Sequence, residues 1–116
     1  MELDIKITKE KNNIIVTTAG EIDDYHAPKF NDLLSKIIEK NDQQKIILNL
    51  EETTYLDSVG LGVIAIAAKK LVAKKQSLYL VCTKPQIIKL LDTSGMINLI
   101  KKNIFLLSSL KEAKEK

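Results

Sequence analysis

Residues able to do nucleophilic or metal-binding chemistry are few in this sequence. It holds one histidine, His26, and one cysteine, Cys82, and the cysteine lies within an apolar run. A zinc site needs three or four convergent ligands, so these two residues predict neither a structural nor a catalytic zinc. The spacing leaves a cysteine–histidine catalytic pair open, although the apolar neighbourhood of Cys82 favours a packed thiol.

Other catalytic and cofactor-binding patterns are also missing from the sequence. There is no glycine-rich loop followed by Lys-Ser or Lys-Thr, and Gly60-Leu61-Gly62 lacks the third glycine of a dinucleotide fingerprint. The acid pairs Glu51-Glu52 and Asp23-Asp24 are typical of solvated turns, because sequence neighbours need not converge on one substrate. The sequence therefore predicts no cofactor and lacks the acid, base and nucleophile set of a small enzyme.

One segment, residues 53–64, combines polar residues with the start of an apolar helical pattern. Asp57 or Ser58 is well placed to cap that helix. Gly60 and Gly62 follow in its first turn, although glycine costs about 0.8–1.0 kcal/mol relative to alanine inside a helix. The glycines therefore predict a close approach to the helix start, either by a neighbouring strand or by a partner.

Two further properties of this helix concern binding and modification. Its apolar residues occupy more than one face, which predicts either a deeply covered helix or an exposed docking patch. Unpaired N–H groups and a partial positive charge at its start would tolerate a phosphate on Ser58. A phosphoserine adds about −1.5 to −2 charges, which beside Asp57 would change the surface without necessarily changing the fold.

The elements that must position this segment follow from hydrophobic periodicity, which predicts the order β-β-α-β-α-β-α-β-α. The predicted elements are a hairpin from residues 3–7 and 14–18, a helix over 27–40, a buried strand at 46–50, a polar connection over 51–58, a helix from 59 to about 75, a strand at 78–82, a helix from Pro85 to a stop at Gly95, a strand at 104–107 and a frayed C-terminal helix capped by Ser109 and Glu112. This alternation predicts a single α/β domain over residues 1–116, with helices packed on a mostly parallel sheet behind an opening β-hairpin.

Composition argues against several partner classes. The 18 basic residues are all lysine, aromatic residues are 4%, and the net charge is +3. Base readout favours arginine, and single-strand binding favours aromatic stacking, so a nucleic-acid role is not expected. No apolar stretch reaches the length of about 18 residues that spans a membrane. A lone cysteine suits a reducing cytoplasm.

Several stretches together resemble a known family, the STAS domain, and within it the single-domain bacterial anti-sigma factor antagonists. The matching stretches are Asp57-Ser58-Val59-Gly60-Leu61-Gly62 after Ile47-Leu48-Asn49-Leu50, Gly20-Glu21-Ile22-Asp23, and Leu90-Leu91-Asp92-Thr93-Ser94-Gly95-Met96. The order of elements matches as well, from about residue 2 to residue 113, and the stretch from Lys101 to Leu107 fits loosely.

The resemblance implies a partner switch in bacterial transcription regulation. It implies that Ser58 is phosphorylated by a cognate serine kinase that is also an anti-sigma factor. The unphosphorylated protein would bind that kinase and free the sigma factor, and a PP2C-type phosphatase would reset the cycle. Asp23 matches an acid used in kinase recognition. Gly60, Leu61 and Gly62 match the helix start that docks on the kinase, beside Asp57 and Val59.

One position departs from the family pattern. Val59 stands where the family usually has serine or threonine, which removes a hydroxyl beside Ser58. This departure keeps a second hypothesis open, in which the chain is an unphosphorylated STAS scaffold or a subunit of a signalling or lipid-transport complex. The sequence pattern indicates no obligate subunit interface, so a monomer is the default expectation.

Overall fold

The computed structural model describes residues 2–95 and 103–116, and its elements follow the predicted order. They are β1 (Leu3–Lys9), β2 (Asn13–Ile22), α1 (Ala27–Lys40), β3 (Lys45–Leu56), α2 (Ser58–Ala73), β4 (Leu78–Val81), α3 (Pro85–Thr93), β5 (Ile104–Leu107) and α4 (Leu110–Glu115). Met96, which ends the third stretch of the resemblance, lies outside the described residues, as do residues 101 and 102. The predicted α/β fold class is confirmed.

The five strands form one mixed sheet in the order β1-β2-β3-β4-β5. The hairpin strands β1 and β2 are antiparallel, and β2, β3, β4 and β5 pair in parallel. Parallel strands need crossover connections, which here contain α1, α2 and α3. The predicted opening hairpin and mostly parallel sheet are both confirmed.

The two faces of the sheet carry different helices. On one face, side chains such as Ile46, Leu48 and Leu80 pack in the main core with apolar residues of α1, α2 and α3. On the other face, a smaller cluster gathers Ile47 and Val81 beneath α4. The central strands are therefore apolar on both faces, which explains why they read as continuous apolar runs instead of alternating patterns.

The strand β3 is longer than predicted. Residues 51–58 were expected to form a polar connection, but β3 continues to Leu56 and α2 begins at Ser58, so that prediction is wrong for residues 51–56. The extra length pairs with the end of β2, where Tyr55 lies beside Glu21 and Leu56 beside Ile22, after two register irregularities. Backbone pairing with β2 outweighs the weak strand preference of these polar side chains. The alternation of side chains between the two faces is interrupted at the irregularities.

The helix ends agree closely with the predictions. The helix α2 covers Ser58–Ala73, against a predicted 59 to about 75. Gly95 follows the end of α3 with a positive φ of 77°, as expected for a stop signal. Ser109 caps α4 by accepting a hydrogen bond from the Glu112 N–H at 3.1 Å. Among the described residues, no helix is long and apolar enough to cross a bilayer.

Candidate functional site

Asp57 joins the two loops at the carboxyl ends of β2 and β3. It is the N-cap of α2, and its Oδ1 accepts a hydrogen bond from the Gly60 N–H at 2.9 Å. Its Oδ2 accepts a second bond, 3.0 Å long, from the N–H of Asp24. Both carboxylate oxygens are therefore used inside the fold, where they fix the start of α2 against the loop that follows β2.

Asp23 fixes the start of α1 in a similar way. Its Oδ1 accepts from the His26 backbone N–H at 3.0 Å and lies 2.6 Å from His26 Nδ1, which donates to it when the carboxyl is ionised. Desolvation raises the pKa of Asp23, but the hydrogen bonds and the charge of His26 together lower it below its ordinary value. Asp23 is thus held as a carboxylate next to Asp24 and its contact with Asp57.

Ser58 is the first residue of α2, and its side chain is exposed. Within residues 2–95 and 103–116, its hydroxyl makes no hydrogen bond. Val59 follows it and is 48% exposed. The helix start therefore presents a free hydroxyl and an apolar side chain to solvent on a backbone that Asp57 holds in place. A phosphate on that hydroxyl would need no rearrangement of the core.

The two glycines of this turn have different surroundings. A Cβ on Gly60 would lie 2.6 Å from the carbonyl oxygen of Ile22 and 2.8 Å from Leu56 Cδ1. A Cβ on Gly62 would have no heavy atom within 4 Å. Gly60 is needed because β2 and β3 pack against the helix start, whereas Gly62 leaves open space on its outer side. The sequence predicted a close approach either by a neighbouring strand or by a partner, and at Gly60 the approach is made by a strand.

The helix α2 combines the two arrangements that the sequence left open. Its inner side is buried, with Leu61, Ile64 and Leu71 in the main core. Its outer side leaves Val59 and Ile66 exposed, the latter by 44%. This outer side borders a shallow groove against the start of α1, which is lined by Asp24, Ala27, Pro28, Asn31, Val59, Gly62, Val63 and Ile66.

The predicted site residues thus divide by exposure. Ser58, Val59 and Gly62 are accessible or lie beside open space, whereas Gly60 and Leu61 are buried and shape the helix start from behind. The sequence reading missed Ile66 and Tyr25, which is 82% exposed beside the same loop. An apolar residue seven positions after Val59 was a usable signal for Ile66, because that spacing returns to the same helix face.

The remaining candidates for chemistry do not converge. Cys82 is 2% exposed in the main core, and burial raises the pKa of its thiol. His26 contacts Asp23, whereas the Cys82 Sγ lies 4.0 Å from the carbonyl oxygen of Lys84. In the described part of the chain, no three His, Cys, Asp or Glu residues are grouped as a metal site would require.

The acid pair in β3 is a further correction. Glu51 was expected in a solvated turn, but it lies in β3 and is half-buried. Its carboxylate accepts hydrogen bonds from the N–H and, at 2.8 Å, from the hydroxyl of Thr83. These contacts tie β3 to the loop after β4, a role that the sequence could not indicate because the partner lies more than 30 residues away.

Comparisons with known proteins agree with this architecture. A profile of the STAS domain matches residues 4–113. The anti-sigma-B factor antagonist of Bacillus subtilis is 32% identical over 100 residues, covering 86% of this chain and 90% of the relative. The protein of the same name from Staphylococcus aureus is 29% identical over 103 residues, covering 89% and 94%.

Solved structures of the same kind share the fold. An anti-sigma factor antagonist from Mycobacterium paratuberculosis superposes with a TM-score of 0.85 at 19% identity, over 98% of this chain and 92% of that one. The anti-sigma factor antagonist SpoIIAA in its unphosphorylated form gives 0.72 at 17% identity, over 98% and 94%. With a family profile that covers nearly all of its length, this chain belongs to the STAS domain family.

Proposed function

We propose that this protein is an anti-sigma factor antagonist that works as a binding partner, not as an enzyme, and that phosphorylation of Ser58 switches it. The observation that carries the proposal is the exposed, unbonded hydroxyl of Ser58 at the start of a firmly held helix. The curated relatives named anti-sigma-B factor antagonists support the same role.

In the unphosphorylated state, the outer side of α2 would bind the anti-sigma factor. Val59 and Ile66 offer apolar area, and the open space at Gly62 allows a partner to approach the helix backbone. Asp24 lines the same groove and Asp23 precedes it in the chain, so a basic residue of the partner could pair with these carboxylates. Binding through this surface would sequester the anti-sigma factor and release its sigma factor.

Phosphorylation would break this complex through charge. A phosphate on Ser58 adds about −1.5 to −2 charges beside the carboxylate of Asp57. Burying such a dianion in an apolar interface without a paired cation is costly. The fold itself would persist, because the Asp57 carboxylate caps α2 through Gly60 and does not depend on the Ser58 side chain.

The enzymes implied by this cycle are a serine kinase, which is the anti-sigma factor itself, and a PP2C-type phosphatase that restores the free hydroxyl. Ser58 is exposed enough to enter both active sites. We place the cycle in the bacterial cytoplasm, where sigma factors act. In this cycle the protein contacts neither nucleic acid nor a membrane directly. The switch would then act entirely through protein–protein contacts.

A second candidate function follows from Val59, which stands where the family usually has serine or threonine. A STAS scaffold, or a subunit of a signalling or lipid-transport complex, could use the same apolar surface without phosphorylation. The 48% exposure of Val59 favours a binding surface in either case. The two functions differ in one chemical event, the transfer of a phosphate to Ser58.

Intact-mass spectrometry distinguishes them. The purified protein is incubated with ATP and a lysate of its source cells, beside Ser58→Ala and a matched control, Ser108→Ala, which removes another exposed serine. We expect one added phosphate on the wild type and on Ser108→Ala, and none on Ser58→Ala. No phosphate on any variant in a lysate with demonstrated kinase activity would contradict the switch and favour the scaffold.

A further inference from the structure

The strand β1 is an edge of the sheet, paired to β2 on one side and, within the described residues, to no strand on the other. An exposed edge presents unpaired backbone N–H and C=O groups that can add another strand. It also borders a groove lined by Ile7, Ile14, Leu33 and Ile37, where Ile7 is 38% exposed. This edge therefore offers a place for strand addition that is separate from the outer side of α2.

The backbone groups on the free side can be identified from the hairpin. The Glu10 N–H donates to the carbonyl oxygen of Asn13 at 2.8 Å, so these residues form a hydrogen-bonded pair. Such pairs alternate along an antiparallel ladder, so Lys6 also bonds toward β2, opposite Thr17. The odd-numbered residues of β1 therefore direct their N–H and C=O groups outward, among them Ile5.

We propose that this edge binds a second copy of the same chain, with the two β1 strands antiparallel and Ile5 opposite Ile5 across a two-fold axis. In this register Asp4 of each copy lies opposite Lys6 of the other. These positions form non-hydrogen-bonded pairs, in which opposing side chains are closest, and opposite charges there are favourable. The two sheets would join into one.

The apolar side chains fit the same register. Leu3 and Ile5 lie on the face of β1 that packs against the main core. With Ile5 at the two-fold axis, Leu3 of one copy lies opposite Ile7 of the other, beside the groove along α1. The exposed part of Ile7 would then be covered by an apolar neighbour from the second copy.

Neighbouring registers are disfavoured by charge. Moving the two-fold axis to Lys6 places two lysines opposite each other. Moving it to Asp4 places two aspartates opposite each other at the axis, with Glu2 opposite Lys6 on either side. Charged side chains on an edge strand normally block pairing. Of these three registers, only the one centred on Ile5 pairs opposite charges without placing like charges opposite each other. Such a dimer differs from the monomer that was the default expectation from the sequence.

Charge reversal tests the pairing by sedimentation velocity over a wide concentration range. Asp4→Lys or Lys6→Asp makes both symmetry-related pairs like-charged, and we expect each to raise the dimer dissociation constant by about tenfold. The double variant Asp4→Lys/Lys6→Asp restores opposite charges and should restore the dimer. The controls Asp92→Lys and Lys89→Asp make the same charge changes on exposed residues of α3 and should leave dimerisation unchanged.

Disulfide trapping tests the register independently of affinity. Asp4→Cys and Lys6→Cys are purified separately, mixed and oxidised; Cys82 is buried and does not compete. We expect the mixed disulfide to form faster than either homodimeric disulfide, because positions 4 and 6 lie opposite each other. A wild type that stays monomeric at the highest concentration, or a double variant no tighter than the single ones, would overturn the proposal.

Discussion

Gly60 and Gly62 lie two residues apart in α2, yet one faces the sheet and the other faces solvent. The Ile22 carbonyl oxygen and the Leu56 side chain leave no room for a Cβ at Gly60, whereas Gly62 has free space around it. The same residue type thus serves the fold on the inner side of the turn and leaves the outer side open for binding. The inner side should control stability, and the outer side should control recognition.

The largest expected effect on stability comes from the inner side. Gly60→Ala would place a methyl group 2.6 Å from the Ile22 carbonyl oxygen, which forces a shift of backbone. We expect the free energy of unfolding to fall by about 1–3 kcal/mol, the usual cost of overpacking. Urea denaturation followed by circular dichroism measures this change.

Gly62→Ala is the matched control on the outer side. Its Cβ would meet open space, so the variant should gain up to about 0.8–1.0 kcal/mol of helix propensity while weakening the partner complex. Equal stability of the two alanine variants would show that the inner and outer sides are not distinct.

A smaller loss is expected when the cap is removed. Asp57→Ala deletes the bonds to the Gly60 and Asp24 N–H groups, and loss of an N-cap costs about 0.5–2 kcal/mol. Ser58→Ala removes an exposed hydroxyl and should change stability by less than about 0.5 kcal/mol. Thermal denaturation of the two variants compares adjacent positions directly. A greater loss of stability for Ser58→Ala than for Asp57→Ala would show that Asp57 is not the residue that caps α2.

The last expected effect on stability, that of Asp23, depends on pH. Because the folded-state pKa lies below the ordinary value of 3.8, its contribution is fully present above that value. The contribution is lost as the pH falls through the lowered pKa. Asp23→Asn should therefore be less stable than wild type at neutral pH, with the difference shrinking as the pH falls below 3.8. A difference that is constant across this range would contradict the role of the carboxylate.

The sequence predicted the element order and most of the boundaries because local patterns determine them. Period-two residues indicated β1, and Pro85 and Gly95 bounded α3. It missed the extension of β3 to Leu56, because pairing with β2 through an irregular register leaves no simple alternation. Sequence patterns were therefore sufficient to predict those elements whose ends depend on residues close together in the chain.

The site was predictable in its residues but not in their separate roles. Asp57 and Ser58 were equal candidates for the helix cap, and the bond from the Gly60 N–H identifies Asp57 as the cap. The motif gave no sign of the second bond of this carboxylate, to the Asp24 N–H 33 positions away. The different surroundings of Gly60 and Gly62 likewise depend on β2, a remote strand. Tertiary contacts of this kind cannot be read from the motif alone.

The most direct test of the account is the affinity of the anti-sigma factor for the outer side of α2. Isothermal titration calorimetry would compare wild type, Ser58→Ala, Ser58→Asp and protein phosphorylated on Ser58. The melting temperature of each form is measured first, and we expect it to equal that of the wild type. We predict that wild type and Ser58→Ala bind alike, and that the phosphorylated protein and Ser58→Asp bind at least tenfold more weakly, a difference of about 1.4 kcal/mol. Equal affinity of the phosphorylated and unphosphorylated proteins would contradict the switch at Ser58.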